Sequence, residues 1–204
     1  MSPSPLPVPP SAQRNASPIR DVLSVLFTQQ LRPNATVLEI ASGSGHHAAV
    51  MAAAMPQFTW QPSERDAQGH AEVEARVAEA NLPNLRPPLI LDVQTTPWPI
   101  AQADALLCIN MIHISPWEAT HALFAGAARL MPGKGLVVTY GPYRIDRDWG
   151  AESNRMFDAS LQQRNPSWGV RELRDVERVA AAHGFALHQR WPMPANNFTL
   201  AFVK

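Results

Sequence analysis

The sequence predicts an α/β domain, with a mostly parallel sheet of seven strands, helices on both faces and an antiparallel strand pair at the carboxyl end. Three observations carry that expectation. Short apolar runs alternate regularly with helix-spaced segments between residues 37 and 141, the signature of strand–helix–strand units. Several of those runs are continuously apolar, as strands covered on both faces are. The last two runs, Phe185–Pro192 and Phe198–Val203, are joined only by Met193–Asn197, too short for a crossover helix, so they pair antiparallel.

The elements follow in order. Ser17 caps a helix whose first turn holds Pro18, and Ile19, Val22, Leu23, Leu26 and Phe27 follow helical spacing. Pro33-Asn34 ends it. A strand at Val37–Ala41 leads to a helix from His47 to Met55, stopped by Pro56, and the pattern repeats with a strand at Phe58–Pro62, a helix over Gln68–Ala80 and a strand at Leu89–Asp92. After a strand at Asp104–Asn110, Ser115-Pro116-Trp117-Glu118 reads as a serine cap with proline at the first helical position and a reciprocating glutamate. That helix runs to Met131, and Pro132-Gly133 hands over to a strand at Leu136–Gly141. The polar and aromatic stretch Pro142–Gly169 contains a helix over Glu152–Gln163 and has the texture of a site cover. A helix from Arg171 to His183 ends at Gly184, which suits a left-handed cap.

Composition narrows the function. A chain of 204 residues, 46% hydrophobic, suits one domain with a sizeable core. We take residues 1–13 as a proline-rich, largely unpacked arm and 14–204 as the domain. Seventeen basic residues balance seventeen acidic ones, so no broad positive field attracts nucleic acid, and a small-molecule or peptide substrate is favoured. The single cysteine, Cys108, excludes an internal disulfide, and its apolar surroundings suggest an inert thiol in a reducing compartment. The amino terminus reads as neither signal peptide nor membrane anchor. A cytoplasmic monomer or homodimer without a metal is the expectation.

The chemistry centres on Val37-Leu38-Glu39-Ile40-Ala41-Ser42-Gly43-Ser44-Gly45, a buried strand breaking into a glycine-rich turn that opens a helix. Gly43 and Gly45 allow a sharp turn and close approach to a ligand, and Glu39 is a strand carboxylate in need of a partner. Open α/β sheets bind ligands beyond the carboxyl ends of their strands. Those ends carry Glu39 with Ser42–Gly45, then Glu64, Asp92 and Asn110. Glu64 lies 21 positions beyond Gly43, where an acid accepts from both hydroxyls of a ribose, and Asp92-Val93 can hold an adenine. Such roles suit an adenosyl ligand without phosphates. Gly43-x-Gly45-x-x-Ala48 also matches a dinucleotide turn, which keeps a nicotinamide-dependent oxidoreductase open, although no Tyr-x-x-x-Lys arrangement accompanies it.

With these residues the chain resembles the class I S-adenosylmethionine-dependent methyltransferases, which have a Rossmann-like seven-stranded sheet with one reversed strand. Their acid-x-Gly-x-Gly-x-Gly pattern is met by Glu39-x-Ala41-x-Gly43-x-Gly45, with alanine at the first glycine. More narrowly, the segment Leu38–Ala48, Trp60-Gln61-Pro62-Ser63, Asn110-Met111-Ile112-His113-Ile114-Ser115-Pro116, Tyr140-Gly141-Pro142-Tyr143 and Met193-Pro194-Ala195-Asn196-Asn197 resemble the methyltransferase-like family of unknown function that includes methyltransferase-like protein twenty-six. The likeness takes in Arg14-Asn15, Phe157-Asp158 and Asn165–Gly169. It implies S-adenosyl-L-methionine as cofactor, held by Arg14, Asn15, Glu39, Ala41, Ser42, Gly43, Gly45, His47, Glu64, Asp92, Val93 and Asn110, with Glu39 serving the methionine amino group.

Each residue also has a plainer account. Glu39 can be satisfied by loop amides, and Gly43 and Gly45 can merely shape a turn. Glu64 can simply lead a helix and Asp92 cap a loop. His113, in the loop after the fourth strand, is a candidate general base and substrate contact or a packing imidazole. Asp158 is a second candidate base by location. Tyr140, Tyr143, Asn154 and Trp168 are candidates for an aromatic-lined acceptor pocket, with core packing as the competing account, and Asn196 is a substrate candidate or a turn residue. A non-catalytic protein that keeps the fold is the remaining alternative.

Overall fold

The computed structural model describes residues 6–204. Its nine strands are β1 Thr36–Ile40, β2 Thr59–Glu64, β3 Leu89–Ile90, β4 Ala105–Ile109, β5 Leu136–Gly141, β6 Tyr143–Arg144, β7 Arg171–Glu172, β8 Ala186–Met193 and β9 Asn197–Val203. Its helices are α1 Pro10–Gln30, α2 His46–Ala54, α3 Ala67–Ala80, α4 Trp117–Leu130, α5 Glu152–Arg164 and α6 Leu173–Ala182. Seven strands form one sheet in the order β3-β2-β1-β4-β5-β9-β8, and β6 pairs with β7 apart from it. All neighbours from β3 to β5 are parallel. Only β9 is reversed, antiparallel to both β5 and β8.

Strand alternation divides the core. Val37, Leu107, Val138, Tyr140 and Ala201 face α1 and α2, where Ile19, Leu23, Phe27, Ala48 and Met51 cover them. Leu38, Ile40, Leu106, Cys108 and Val137 face α4 and α6, against Leu123, Phe124, Val176 and Ala180. Such two-residue alternation is what a strand buried on both faces gives. Strand order reverses at β1, with β2 and β3 on one side and β4 and β5 on the other, so the carboxyl ends of β1 and β4 flank the crevice where such sheets bind ligands.

Several boundaries differ from expectation. Helix α1 begins at Pro10, and Pro18 lies inside it. The added turns bury Ala16 in register with Ile19 and Leu23, which outweighs the hydrogen bond that Pro18 cannot donate. The expected arm is not wholly unpacked: Arg76 donates to the carbonyls of Leu6 (3.2 Å) and Pro7 (2.9 Å). Its first five residues lie outside the described range. The expected capping box of α4 does not form. Pro116 is the N-cap, and the Ser115 hydroxyl donates backwards to the Met111 carbonyl at 2.8 Å. Arg171 and Glu172 form β7 rather than the start of a helix. No helix among the described residues is long and apolar enough to cross a membrane.

Candidate functional site

The turn after β1 uses three left-handed positions in five residues: Ala41 (φ 56°), Gly43 (φ 59°) and Gly45 (φ 69°). The departure from the glycine pattern therefore falls where an L side chain is strained. A Cβ on Gly43 would meet nothing within 4 Å, so this side of the turn is open. A Cβ on Gly45 would come within 3.1 Å of the Arg76 side chain and 3.3 Å of the Val73 backbone. The absence of a side chain at Gly45 thus admits the close approach of α3.

Glu64, at the end of β2, binds the turn across the crevice. Its Oε2 accepts from the Gly43 N–H at 2.9 Å, and its Oε1 accepts from the Arg65 N–H. A carboxylate has about four acceptor positions, so two remain. Beside it a cavity of about 250 Å³ is lined by Ile40, Ala41, Glu64, Leu91, Asp92, Val93, Met111, Ile114, Pro116 and Trp168, among others. Asp92 Oδ1 accepts from the Gln94 N–H at 2.9 Å, which turns the chain at the rim. Val93 is held by the Trp98 indole, which donates to its carbonyl at 3.2 Å.

Of the expected cofactor residues, this cavity gathers Ala41, Glu64, Asp92 and Val93, and of the substrate candidates it takes Trp168. Asn110 stands next to it in a left-handed conformation (φ 62°), with its side-chain oxygen 3.1 Å from where a Cβ on Gly141 would lie. Ser42 joins β1 to β2 through its N–H, given to the Ser63 carbonyl, and its hydroxyl, which accepts from the Ser63 N–H. Arg14 and Asn15 lie on α1 and are not among the residues that line the cavity. The loop Ile114–Pro116 was missed, although its place at the carboxyl end of β4 was a usable signal. Arg76 was missed too, and nothing in the sequence of α3 distinguishes it.

Glu39 lies on the α1 side of β1, 2% exposed. Burial pushes its carboxyl up to about 7; a hydrogen bond with Ser42 opposes the shift and the nearby Glu64 adds to it. Its Oε2 has no partner. A buried carboxyl left half satisfied beside a glycine turn suits a cationic ligand group, so the chain's residues fit an adenosyl ligand bearing an ammonium. His47 lies near the start of α2, where burial and His46 lower its imidazole to about 4, and its Nε2 is unpartnered.

Neither member of the expected catalytic pair is among the residues that line this cavity. His113 has no solvent exposure, and burial with the neighbouring Arg171 lowers its imidazole to about 3. Its Nδ1 accepts from the Arg171 N–H at 3.3 Å, and its ring packs edge-on against Tyr143 at 4.9 Å. Its Nε2 has no partner among the described residues, so the ring packs in the core with one nitrogen left unsatisfied. Asp158 accepts from the Val170 N–H at 2.8 Å and the Gln162 amide at 2.9 Å, one bond on each oxygen, which leaves acceptor positions on both.

The substrate candidates also divide. Tyr143 faces the α4–α6 core and donates to Thr139 Oγ1 at 2.7 Å, so its hydroxyl is satisfied within the core. Tyr140 points to the opposite face, its hydroxyl buried and unpartnered. Asn154 is a tether, donating to the carbonyls of Trp149 and Asn196. Asn196, left-handed at φ 55°, supplies that carbonyl from the β8–β9 turn.

The model of the family described as a protein of unknown function, DUF938, matches residues 7–204. The chain belongs to that family. Solved structures similar to this DUF938 chain include the S-adenosylmethionine-dependent methyltransferase SibL in its apo form, at 20% identity and a TM-score of 0.77, covering 95% of this chain and 55% of that one. PigF with SAH matches at 17% identity and a TM-score of 0.78, over 94% and 56%. An O-methyltransferase family protein from Burkholderia thailandensis matches at 16% and 0.77, over 92% and 55%. The chain spans just over half the length of these proteins, and at such identities the likeness is one of fold.

Proposed function

We propose that this DUF938 chain is an S-adenosyl-L-methionine-dependent methyltransferase acting on an oxygen or nitrogen of a small molecule or peptide. The observation that carries the reading is the Glu64–Gly43 contact. In a dinucleotide turn the glycine amides and helix end receive a pyrophosphate. Here the Gly43 amide already serves a carboxylate, and a phosphate placed there would be repelled by it. The adjoining cavity is mainly apolar, with Glu64 and Asp92 at its edge, which favours a base and a ribose over phosphates. Its volume falls just below the roughly 300–1,000 Å³ of typical small-molecule sites, which suits the adenosyl part of the cofactor.

In this reading Val93 and Ile40 cover the adenine, Asp92 meets its amino group, Glu64 accepts from the ribose hydroxyls, and Glu39 receives the ammonium. S-adenosylmethionine supplies a methyl group already activated by a sulfonium charge. The protein's share is alignment: holding the acceptor and donor in line replaces a bimolecular encounter and yields several powers of ten in rate. Names of neighbours such as the Burkholderia O-methyltransferase family protein favour oxygen as the acceptor atom.

Calorimetry with S-adenosylmethionine, S-adenosylhomocysteine and nicotinamide dinucleotides tests this. The sulfur cofactors are expected to bind and the dinucleotides not. Glu64→Ala is expected to weaken S-adenosylmethionine by about tenfold or more, the loss of hydrogen bonds to a charged acceptor. Tight dinucleotide binding would refute the reading.

A further inference from the structure

Helix α3 seats the glycine turn along one face. Gly69, Val73 and Arg76 stand at positions i, i+4 and i+7 of that helix, which places them in one line. A Cβ on Gly69 would run into the Glu64 side chain, and one on Gly45 would press on Val73 and the Arg76 stem. Arg76 Nε donates to the Ser44 carbonyl at 3.4 Å. The turn is therefore gripped from two directions, by Glu64 at the Gly43 N–H and by Arg76 at the Ser44 carbonyl.

Arg76 is 7% exposed, and a guanidinium so far from water needs acceptors for the donors it hides. Glu79, one turn on, takes Nη1 at 2.6 Å. The remaining acceptors come from outside the helix. Nη2 donates to the carbonyls of Leu6 and Pro7 at 3.2 and 2.9 Å, and Glu79 returns the contact by accepting from the Leu6 N–H at 3.1 Å. Leu6, Pro7 and Ser44 share one groove with Ala71, Ala75 and Arg76 of α3. Residues 6–9 thus complete the bonding of the same side chain that holds the turn, before α1 begins at Pro10. If that segment lifts, Nη2 loses both acceptors, and the cation is drawn toward water and away from Ser44. The guanidinium ties the two sides together.

Resting on the methyltransferase reading for the identity of the ligand, we propose that Arg76 is a positioning residue for the cofactor turn, and that residues 6–9 are a strap whose docking on Arg76 and cofactor binding strengthen each other. With the strap down, a cofactor seated against Glu64 meets a turn whose backbone is already fixed. With the strap up, binding must fix that backbone itself, and affinity falls. By reciprocity, the factor that the docked strap adds to cofactor affinity is the factor that the cofactor adds to docking.

The test reads both sides of that linkage. Hydrogen exchange of the Leu6 amide, which is bonded to Glu79 when the strap is docked, is measured in the full chain with and without saturating S-adenosylhomocysteine. Calorimetry gives the affinity of S-adenosylmethionine and S-adenosylhomocysteine for the full chain, for Arg76→Met and for a chain lacking residues 1–7. The expected result is a Leu6 amide protected about fivefold or more by the cofactor, with affinity lowered by a similar factor in both variants. A merely structural Arg76 would lower the melting temperature of its variant and leave Leu6 exchange indifferent to cofactor. The exchange measurement uses the unaltered chain, so it decides the matter even if Arg76→Met misfolds. Bound cofactor with an unchanged Leu6 amide, or affinity unchanged when residues 1–7 are removed, would overturn this proposal alone. Failure of the full chain to bind S-adenosylmethionine would remove the cofactor reading and this proposal with it.

Discussion

Ala41 holds a left-handed backbone at φ 56°, and an L residue there is strained by roughly 1–2 kcal/mol relative to glycine. Glycine's greater freedom in the unfolded chain takes back up to about 1 kcal/mol. Ala41→Gly should therefore raise stability by about 0.5–1 kcal/mol in urea unfolding. Glu39 and two histidines make opposing demands on pH. Glu39 holds its proton more tightly when folded, so its contribution is full below the ordinary 4.5 and is lost as pH rises to about 7. His47 and His113 resist protonation when folded, so stability is lost as pH falls from 6.5 toward about 4 and about 3. Each group contributes up to about 1.4 kcal/mol per pH unit within its window. Between pH 4.5 and 6.5 Glu39 cancels one imidazole. Glu39→Gln should then steepen the loss of stability on acidification in that interval and raise stability above pH 7, and a profile unchanged from the parent would show that Glu39 is ionised in the fold. Glu39 and Glu64 were legible in the sequence because strand ends and turns announce themselves. The burial of His113 was not, since a loop imidazole reads the same whether it faces solvent or Tyr143.

At the scale of elements, the alternation of strands and helices was readable because the central strands β1, β4 and β5 are buried on both faces and helices such as α1, α4 and α6 keep an apolar stripe. What escaped was anything decided by a tertiary partner. Ser115 forgoes its expected cap because the Met111 carbonyl in the preceding turn takes its hydroxyl. The two-residue strands β6 and β7 are too short to carry a period. Helix α1 extends through a proline because Ala16 has a core to join. Helix α4 offers a direct test of how packing shapes the cavity. A Cβ on Gly126 would lie 2.0 Å from the Trp98 ring, and Trp98 in turn holds the Val93 carbonyl at the cavity wall. Gly126→Ala should destabilise the chain by about 1–3 kcal/mol, the usual cost of overpacking. It should also weaken S-adenosylmethionine binding in calorimetry. Destabilisation with unchanged affinity would separate that wall from the ligand.

For the whole molecule, balanced charge and a single reversed strand were both visible in advance, the first from a count and the second from the short Met193–Asn197 connection. The placing of Tyr140 opposite Thr199 was not visible, because β5 and β9 meet only through sheet register. A ligand that binds the folded chain alone at a hundred times its dissociation constant stabilises it by about 2.7 kcal/mol. At about 2–4 °C per kcal/mol for this size, saturating S-adenosylmethionine should raise the melting temperature by about 5–10 °C, and an equal rise with a nicotinamide dinucleotide would count against the assignment. One further consequence concerns handling. Arg76 reaches the Ser44 carbonyl in the glycine turn as well as the Leu6 and Pro7 carbonyls, whereas Lys204 donates its N–H to Gly135 beside the start of β5. A reporter group on Leu6 or Pro7 therefore sits against the glycine turn, and one on Lys204 is held beside the start of β5, the end of that strand remote from the turn.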